Sequence, residues 1–243
     1  TAPAGKCYNI GKEHFGKVEP MKPSQLAPSM MCVDFAEMTD TLRCFEAQGI
    51  EYLHVDIMDG EFVSNFTLGT DFCKYLRSHT SIPLDLHLMI NRPDNKLSWF
   101  GIREGEFVSV HWESTPHIQR TLTMIRDLGG KPMLAINPAT PYDVIRYLLP
   151  DLAGILVMTV DPGFAGQPLV PATLEKIRDL RTFLDDSGYP DLEIEVDGNV
   201  SFENAKKMRA AGATMFVGGS SSVFHKGGTL CENIQKLNES VGK

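Results

Sequence analysis

A regular alternation of short apolar runs and longer amphipathic stretches restricts the fold of this chain more than any other feature of its sequence. Each apolar run has the length and composition of a buried strand, and the stretch after it places apolar residues at helical spacing. The predicted strands span residues 25–31, 52–58, 83–89, 107–113, 131–137, 154–160, 192–198 and 214–220. The predicted helices span residues 35–49, 71–79, 93–105, 115–130, 141–151, 170–188, 201–212 and 229–241.

Strands that alternate with helices in this way form parallel sheets through right-handed crossovers. Eight such units predict a single (β/α)8 TIM barrel over residues 26–243, which is close to the usual size of this fold. An open, doubly wound sheet is the alternative, and the lack of a GxGxxG motif after the first strand counts against it. Residues 1–25 contain Gly, Lys and Pro without a long apolar core. We therefore expect an N-terminal arm or an added extension there, and not a secretory signal.

Charge, hydropathy and cysteine spacing limit the classes of partner that this chain can have. The net charge of −8 argues against a nucleic-acid surface, because phosphate backbones require a basic patch. No apolar stretch approaches the roughly 18 residues expected of a membrane span. The five cysteines are scattered without a CxxC pair, which predicts reduced thiols in a cytoplasmic protein. We therefore expect neither a nucleic-acid partner nor a membrane partner.

Polar residues interrupt three of the predicted strands near their carboxyl ends. Side chains two residues apart on a strand share a face, so His54 and Asp56 point together into the predicted barrel. His87 and Asp197 occupy similar positions on two other strands, and the carboxyl ends of barrel strands meet on one side of the molecule. Two imidazoles and two carboxylates suit one divalent metal ion, either Zn²⁺ or Fe²⁺, Mn²⁺ or Co²⁺. Hydrogen-bonded structural residues of the core are the alternative interpretation.

Glycine-rich loops follow the last three predicted strands at residues 161–167, 197–199 and 218–220. Loops after the late strands of such barrels commonly bind phosphate through backbone N–H groups, and glycine allows the backbone to approach closely. Turns between strands and helices also require glycine, so one such loop alone would predict little. Three consecutive loops favour a phosphate site. Three inward methionines, either core residues or a lining of the site, are Met58, Met89 and Met158.

Residues 26–225 resemble the ribulose-phosphate 3-epimerases, and the matching motifs occur in order along nearly all the predicted strands. The motifs are LAPS (26–29), HVDIMDGEFV (54–63), PLDLHLM (83–89), SVHWE (109–113), NPATP (137–141), VDPGFAGQ (160–167), IEVDG (194–198) and GGSS (218–221). This resemblance implies that His54, Asp56, His87 and Asp197 bind one divalent metal ion, with zinc as the first expectation. It also implies a homo-oligomer.

The same resemblance implies a reaction and a substrate site. Asp56 and Asp197 would act as acid and base on opposite faces of a phosphorylated 2-ketose, inverting C3 through a metal-stabilised enediolate. The predicted substrate-binding residues are Ser29, Met58, Met89, Met158, Gly163, Phe164, Ala165, Gly166, Gly198, Asn199, Gly219 and Ser220. Departures from the family pattern leave the substrate open between ribulose 5-phosphate and allulose 6-phosphate. These departures are Glu61, Ser64 and Asn199.

Two other functions compete with epimerisation. A decarboxylase of the same barrel group would carry a lysine in the strand-two motif, which reads HVDIMD here. A non-catalytic sugar-phosphate-binding barrel would keep the phosphate loops but would not need both aspartates and both histidines. His111 and Glu113 also point inward by strand periodicity, and we interpret them as hydrogen-bonding supports and not as metal ligands.

Overall fold

The structure is a computed structural model, and it describes residues 22–243. Its strands are β1 (Gln25–Pro28), β2 (Leu53–Asp59), β3 (Phe66–Thr67), β4 (Leu84–Met89), β5 (Phe107–His111), β6 (Lys131–Ile136), β7 (Gly154–Met158), β8 (Glu193–Asp197) and β9 (Met215–Gly218). Its α-helices are α1 (Met38–Ala47), α2 (Thr70–His79), α3 (Ile118–Asp127), α4 (Ala172–Asp186), α5 (Phe202–Ala211) and α6 (Leu230–Ser240).

The strands form one sheet that curls until its two ends meet. Their order is β1-β9-β8-β7-β6-β5-β4-β2-β3, and every pairing except that of β2 with β3 is parallel. A parallel bridge between Ser29 and His54 joins β1 to β2, and Tyr52 N donates to Leu26 O at 3.4 Å beside it. This closure confirms the predicted (β/α)8 barrel, in which β3 is an addition outside the ring of eight.

Alternate residues of each strand divide the apolar core into two layers. Side chains such as Val55 and Leu86 face outward and pack under the helices in the larger cluster. Phe107, Met133 and Leu156 belong to a separate cluster that fills the barrel interior. This division follows from the two-residue repeat of a strand, and it leaves the carboxyl end of the interior to polar residues.

Two predicted helices are wrong. Residues 93–105 contain two short 3₁₀ turns, Pro93–Asn95 and Leu97–Phe100, before Gly101 adopts a left-handed conformation at φ 56°. Residues 141–151 likewise form two 3₁₀ turns, Tyr142–Ile145 and Leu149–Asp151. Proline within the second stretch lacks an N–H and disfavours helical geometry in the residue before it. Both stretches have helical periodicity, but their backbones cannot sustain a helix.

The connection after β2 folds back as a hairpin that periodicity did not predict. Residues 59–67, the β2–β3 hairpin, turn where Gly60 has φ 74° and its N–H donates to Asn65 O at 2.9 Å. Asp59 Oδ1 accepts from the backbone N–H groups of Glu61 and Phe62, both at 3.0 Å. Asp59 Oδ2 accepts from Lys96 Nζ at 3.0 Å. The hairpin is therefore fixed to the barrel at its base.

One pair of cysteines is joined. A disulfide links Cys44 in α1 to Cys231 in α6, with Cα atoms 6.5 Å apart. The prediction of reduced thiols is wrong for this pair, because barrel closure brings the first and last helices side by side. Cys32 and Cys73 are free. Cys7 lies outside the described residues.

No helix in the described part of the chain is long and apolar enough to cross a membrane. The predicted arm at residues 1–25 falls almost entirely outside residues 22–243, and so it stays a prediction.

Candidate active site

Four side chains from three strands meet at the carboxyl end of the barrel. His54 Nε2 lies 3.3 Å from Asp56 Oδ1 and 3.9 Å from Asp197 Oδ2. His87 Nδ1 lies 3.3 Å from Asp56 Oδ1 and 3.7 Å from Asp197 Oδ2. One ligand atom from each residue lies within 4.8 Å of the other three. The structure thus brings together all four residues for which the sequence predicted a metal-binding role.

Strand register explains this convergence. β2 and β4 run parallel with Asp56 opposite His87, so the two side chains emerge side by side on the inner face. Ser29 bridges to His54 at the closure of the barrel, and its Oγ donates to Asp56 Oδ2 at 2.6 Å. Asp197 is the last residue of β8 and completes the cluster from the other side. The parallel strands therefore fix the relative positions of all four groups.

The cluster fits a divalent cation. His54 Nε2 is buried without a hydrogen-bond partner, whereas Nδ1 of the same ring lies 2.5 Å from Asp85 Oδ2. When the ring carries its single proton on Nδ1, the Nε2 lone pair is available to a cation. Ligand atoms about 2.0–2.1 Å from a tetrahedral ion lie about 3.4 Å from one another. The four separations of 3.3–3.9 Å are close to that spacing, so these residues can hold one divalent ion.

The two carboxyl groups of the cluster differ in proton affinity. Burial would raise the pKa of Asp56, but the charge and hydrogen bond of His54, together with His87, outweigh burial and hold it well below its ordinary value. Burial, and then the charge of Asp56, raises the pKa of Asp197 to about 7. Near neutral pH, Asp56 is therefore ionised while Asp197 keeps a proton in a large share of molecules.

The imidazoles of the site also differ in proton affinity. Burial opposes the charged form of His54, but the charges of Asp56 and Asp85 raise its pKa well above its ordinary value. Burial lowers the pKa of His87, and it lowers the pKa of His111 to about 4. His87 and His111 are therefore neutral at pH 7, and each ring carries a single N–H.

A cavity opens above the four-residue cluster, and every predicted substrate-binding residue lines it. Asp56 and Asp197 form part of its floor. The predicted residues in its wall are Ser29, Met58, Met89, Met158, Gly163, Phe164, Ala165, Gly166, Gly198, Asn199, Gly219 and Ser220. Further lining residues that sequence reasoning did not select include Met31, Cys32, Asp161, Gln167 and Ser221. Their positions follow from loop conformation, which strand periodicity does not report.

Two amide side chains shape the loop after β7, residues 161–167. Gln167 Nε2 donates to Asp161 O at 2.6 Å and to Phe164 O at 2.9 Å, which closes the loop on itself. Asn199 Nδ2 donates to Gln167 O at 2.6 Å and ties the loop to the end of β8. Gly163 has φ 117° within it, a conformation that L side chains rarely adopt. The 161–167 loop therefore has a defined shape beside the cavity.

The β2–β3 hairpin reaches the same loop from the far side of the barrel. Asn65 Nδ2 donates to Gly163 O at 2.9 Å. β2 and β7 stand four strands apart in the ring of eight, so this bond spans the mouth of the barrel. The hairpin is thereby joined to the 161–167 loop, which lines the cavity above the metal-site residues.

Comparison with known proteins assigns this architecture to a family. The model of the ribulose-phosphate 3 epimerase family matches residues 25–224. The chain belongs to the ribulose-phosphate 3-epimerase family. The predicted resemblance is thereby confirmed, and the chain is an epimerase of sugar-phosphate metabolism.

Relatives of the ribulose-phosphate 3-epimerase family match over most of their own length. A ribulose-phosphate 3-epimerase of Bacillus subtilis strain 168 is 40% identical over 197 residues, covering 81% of this chain and 91% of the relative. A ribulose-phosphate 3-epimerase of Escherichia coli strain K12 is 39% identical over 202 residues, covering 83% of this chain and 89% of the relative. A ribulose-phosphate 3-epimerase of Methanocaldococcus jannaschii is 36% identical over 202 residues, covering 83% of this chain and 85% of the relative.

Solved structures share the fold of this ribulose-phosphate 3-epimerase family member at low identity. The 3-hexulose-6-phosphate synthase of Salmonella typhimurium superposes with a TM-score of 0.62 at 14% identity, covering 89% of this chain and 98% of that one. The N-(5'-phosphoribosyl)anthranilate isomerase of Pyrococcus furiosus superposes with a TM-score of 0.58 at 13% identity, covering 90% of this chain and 98% of that one. These likenesses concern the barrel alone.

One departure from the ribulose-phosphate 3-epimerase pattern has a structural reason. Asn199 replaces an expected glycine and has φ 47°, in the left-handed region that asparagine tolerates better than most residues. Its backbone and side-chain oxygens both accept from Asn204 Nδ2, at 3.0 and 2.8 Å. Asparagine thus keeps the backbone conformation of glycine here and adds a side chain that holds the neighbouring loop.

Sequence reasoning assigned no role to the polar layer beneath the metal-site residues. Asp85 and Glu195 are fully buried, and Glu195 Oε1 lies 3.6 Å from His54 Nδ1. Burial, and then the charge of Asp85, raises the pKa of Glu195 well above its ordinary value, which favours the protonated form of this carboxyl. The alternation in LDLHLM and LEIEVD was the available signal, because it placed both residues on the inner face.

Proposed function

We propose that this protein catalyses the 3-epimerisation of a phosphorylated 2-ketose by proton transfer between two aspartates. The observation that carries the proposal is the pairing of Asp56 and Asp197 with two imidazoles on the floor of a glycine-lined cavity. Family membership supports the reaction class.

The two aspartates supply the acid and the base. Ionised Asp56 takes the C3 proton from one face of the substrate, and protonated Asp197 delivers its proton to C3 on the other face. Their roles exchange in the reverse direction. Ser29, which donates to Asp56 Oδ2 at 2.6 Å, holds that carboxylate in place. Opposite protonation states in two carboxyl groups are what this chemistry requires.

His54, His87, Asp56 and Asp197 would hold the divalent ion. Zinc is our first choice because nitrogen and oxygen donors at near-tetrahedral spacing suit it, and Fe²⁺, Mn²⁺ and Co²⁺ are the alternatives. The bound ion would act as a Lewis acid that stabilises negative charge developing on the substrate oxygens.

The loops after β7, β8 and β9 would bind the substrate phosphate. Backbone N–H groups in glycine-rich loops can surround an anion closely, and the three loops line one side of the cavity. In this proposal the phosphate would lie at the cavity wall, with the ketose carbon chain over the aspartates.

Ribulose 5-phosphate, with xylulose 5-phosphate as its epimer, is the proposed substrate pair. The relatives with 36–40% identity all carry the name ribulose-phosphate 3-epimerase. Allulose 6-phosphate, with fructose 6-phosphate as its epimer, is the competing pair, because Glu61, Ser64 and Asn199 depart from the pentulose pattern. The cytoplasmic location and the homo-oligomer stay predictions from the sequence.

Side-by-side turnover of the two ketose phosphates tests the proposal. We expect kcat/KM for ribulose 5-phosphate to exceed that for allulose 6-phosphate, with solvent deuterium appearing at C3 of the product in D₂O. Higher kcat/KM for the hexulose would overturn the substrate choice but not the reaction. Binding of both sugars without turnover or exchange, in metal-loaded protein, would instead identify a non-catalytic barrel.

A further inference from the structure

The imidazole of His87 faces two different partners. Its Nδ1 points to the carboxylates of the metal-site cluster, and its Nε2 lies 2.8 Å from His111 Nε2. Both rings are fully buried, and their planes differ by 23°. Two ring nitrogens at this distance share one hydrogen bond, so one ring donates and the other accepts.

Metal binding at the site fixes the direction of this hydrogen bond, and this step rests on the proposed function. A neutral imidazole that offers the Nδ1 lone pair to a cation carries its only N–H at Nε2. His87 therefore donates from Nε2, and His111 Nε2 accepts. A ring that accepts at Nε2 carries no proton there, so the single proton of His111 must lie on Nδ1.

His111 Nδ1 faces an acceptor that is itself held in place. Glu113 Oε2 lies 3.5 Å from this buried nitrogen, which is longer than an ordinary hydrogen bond, and the nitrogen has no other hydrogen-bond partner among the described residues. Glu113 Oε1 accepts from Asn137 N at 3.2 Å and from the Thr140 hydroxyl. Lys176 Nζ donates to the backbone carbonyls of Asn137 and Thr140, at 2.9 and 2.7 Å, and so fixes the segment after β6. The Glu113 carboxylate is thus placed to hold the proton of His111 on Nδ1.

We propose that His111 and Glu113 are positioning residues that set the tautomer and ring orientation of the metal ligand His87. The chain of contacts runs from Glu113 through His111 to His87 and keeps His87 Nδ1 unprotonated toward the cation. Asp85 sets the tautomer of His54 in the same way, through a direct contact with His54 Nδ1. Partners of this kind typically change metal affinity by about 10–100-fold when removed.

A purely structural role for His111 makes a different prediction. Its ring also packs against Phe62, with centroids 4.8 Å apart, so replacement could simply loosen the hairpin above it. Loss of packing would lower thermal stability whatever the hydrogen-bonding capacity of the new side chain. Loss of the acceptor would weaken metal binding, and a side chain with an acceptor oxygen would restore it.

Zinc affinity of the metal-free protein, measured by competition with a chromophoric chelator, tests the proposal. The variants are His111→Leu, which removes the acceptor, and His111→Gln, which supplies an amide oxygen. His117→Leu, at an exposed position after the same strand, is the matched control. Melting temperature is recorded for each protein without zinc, so that stability and affinity are read separately.

We expect His111→Leu to weaken zinc binding at least about 10-fold, with His111→Gln and His117→Leu within about threefold of the wild type. Unchanged affinity in His111→Leu would overturn the proposal, as would equal weakening in His111→Leu and His111→Gln. If His111→Leu does not fold, Glu113→Gln decides: weaker binding supports the chain of contacts, and unchanged binding overturns it. A wild-type protein that binds no zinc, Co²⁺, Mn²⁺ or Fe²⁺ would overturn the proposed metal site together with this inference.

Discussion

At the scale of single residues, the site depends on two carboxyl groups that are chemically alike but differ in their surroundings. Asp56 accepts a hydrogen bond from Ser29 and lies beside the charge of His54, whereas Asp197 faces the charge of Asp56. The first environment stabilises a carboxylate and the second stabilises a carboxylic acid. Their placement, and not their residue type, therefore gives the two groups different proton affinities.

Replacing Asp197 with asparagine should remove turnover and leave the fold intact. Asparagine has nearly the same shape but cannot deliver a proton to C3, so we expect kcat to fall by roughly 10²–10⁴-fold or more. Steady-state kinetics and circular dichroism measure the two effects. Near-normal epimerisation by Asp197→Asn would contradict the two-aspartate mechanism.

The raised pKa of Asp197 also predicts how stability depends on pH in metal-free protein. Its contribution is fully present below the unfolded pKa of about 3.9, and it is lost as pH rises through the folded pKa of about 7. Wild-type protein should therefore lose stability relative to Asp197→Asn between these pH values, on the order of 2–4 kcal/mol. Denaturant unfolding at several pH values measures the difference. A constant difference across that range would show that Asp197 is ionised throughout.

Periodicity predicted the four metal-site residues because each occupies an inward position near a strand end. Periodicity alone does not predict the contact between His87 and His111, because that contact depends on the spacing of β4 and β5 in three dimensions. The disulfide between Cys44 and Cys231 was missed for a similar reason. Its two cysteines lie 187 residues apart and become neighbours only when the barrel closes.

At the scale of elements, the β2–β3 hairpin and the 161–167 loop are joined as one unit, and the loop lines the cavity. Asn65 connects them, and Asp59 fixes the base of the hairpin. The sequence did not predict the hairpin, because its second strand has only two residues, too few to establish a period. The helices predicted at 93–105 and 141–151 failed because periodicity reports which residues face the core, and 3₁₀ turns can satisfy that pattern too.

Removal of the Asn65 amide should loosen this unit. A single hydrogen bond contributes about 1 kcal/mol, so Asn65→Ala should raise KM by roughly fivefold, with a smaller effect on folding stability. Kinetics at saturating metal ion provides the measurement. Asn95→Ala, at an exposed position away from the cavity, is the matched control. Equal KM values in wild type and Asn65→Ala would show that the bond to Gly163 has no part in binding.

At the scale of the whole molecule, stability depends on the seam where the chain ends meet. β1 pairs with β9, and α1 packs beside α6. Phe45 in α1 is fully buried there, and its ring lies edge-on to that of Phe224, with centroids 6.3 Å apart. The seam joins the first and last units of the barrel, so its loss would open the whole fold.

Truncating Phe45 to alanine should therefore destabilise the protein by about 3–5 kcal/mol, because a large cavity would remain at the seam. Chemical denaturation measures the change in the free energy of unfolding. Phe35→Ala, at a position 67% exposed, should change it by less than about 0.5 kcal/mol. Similar losses in the two variants would mean that the seam is not a centre of stability.

The metal ion should stabilise the whole barrel as well as the reaction. A ligand that binds only the folded state at 100 times its Kd adds about 2.7 kcal/mol. Chelation should therefore abolish turnover and lower the melting temperature, and Zn²⁺, Fe²⁺, Mn²⁺ or Co²⁺ should restore both. Full activity in protein shown by elemental analysis to be metal-free would contradict the metal requirement.

The bond from Asn65 to Gly163 connects the β2–β3 hairpin to the 161–167 loop across the mouth of the barrel. On the proposed function, an anion bound at the loop would stabilise this bond, and by reciprocity the bond would favour anion binding. On the same proposal, part of the phosphate's binding free energy would stabilise the loop and hairpin around the reacting ketose, and a ketose without phosphate would lose kcat as well as affinity. Inorganic phosphate, supplied separately, would return some of that rate by occupying the vacant loop.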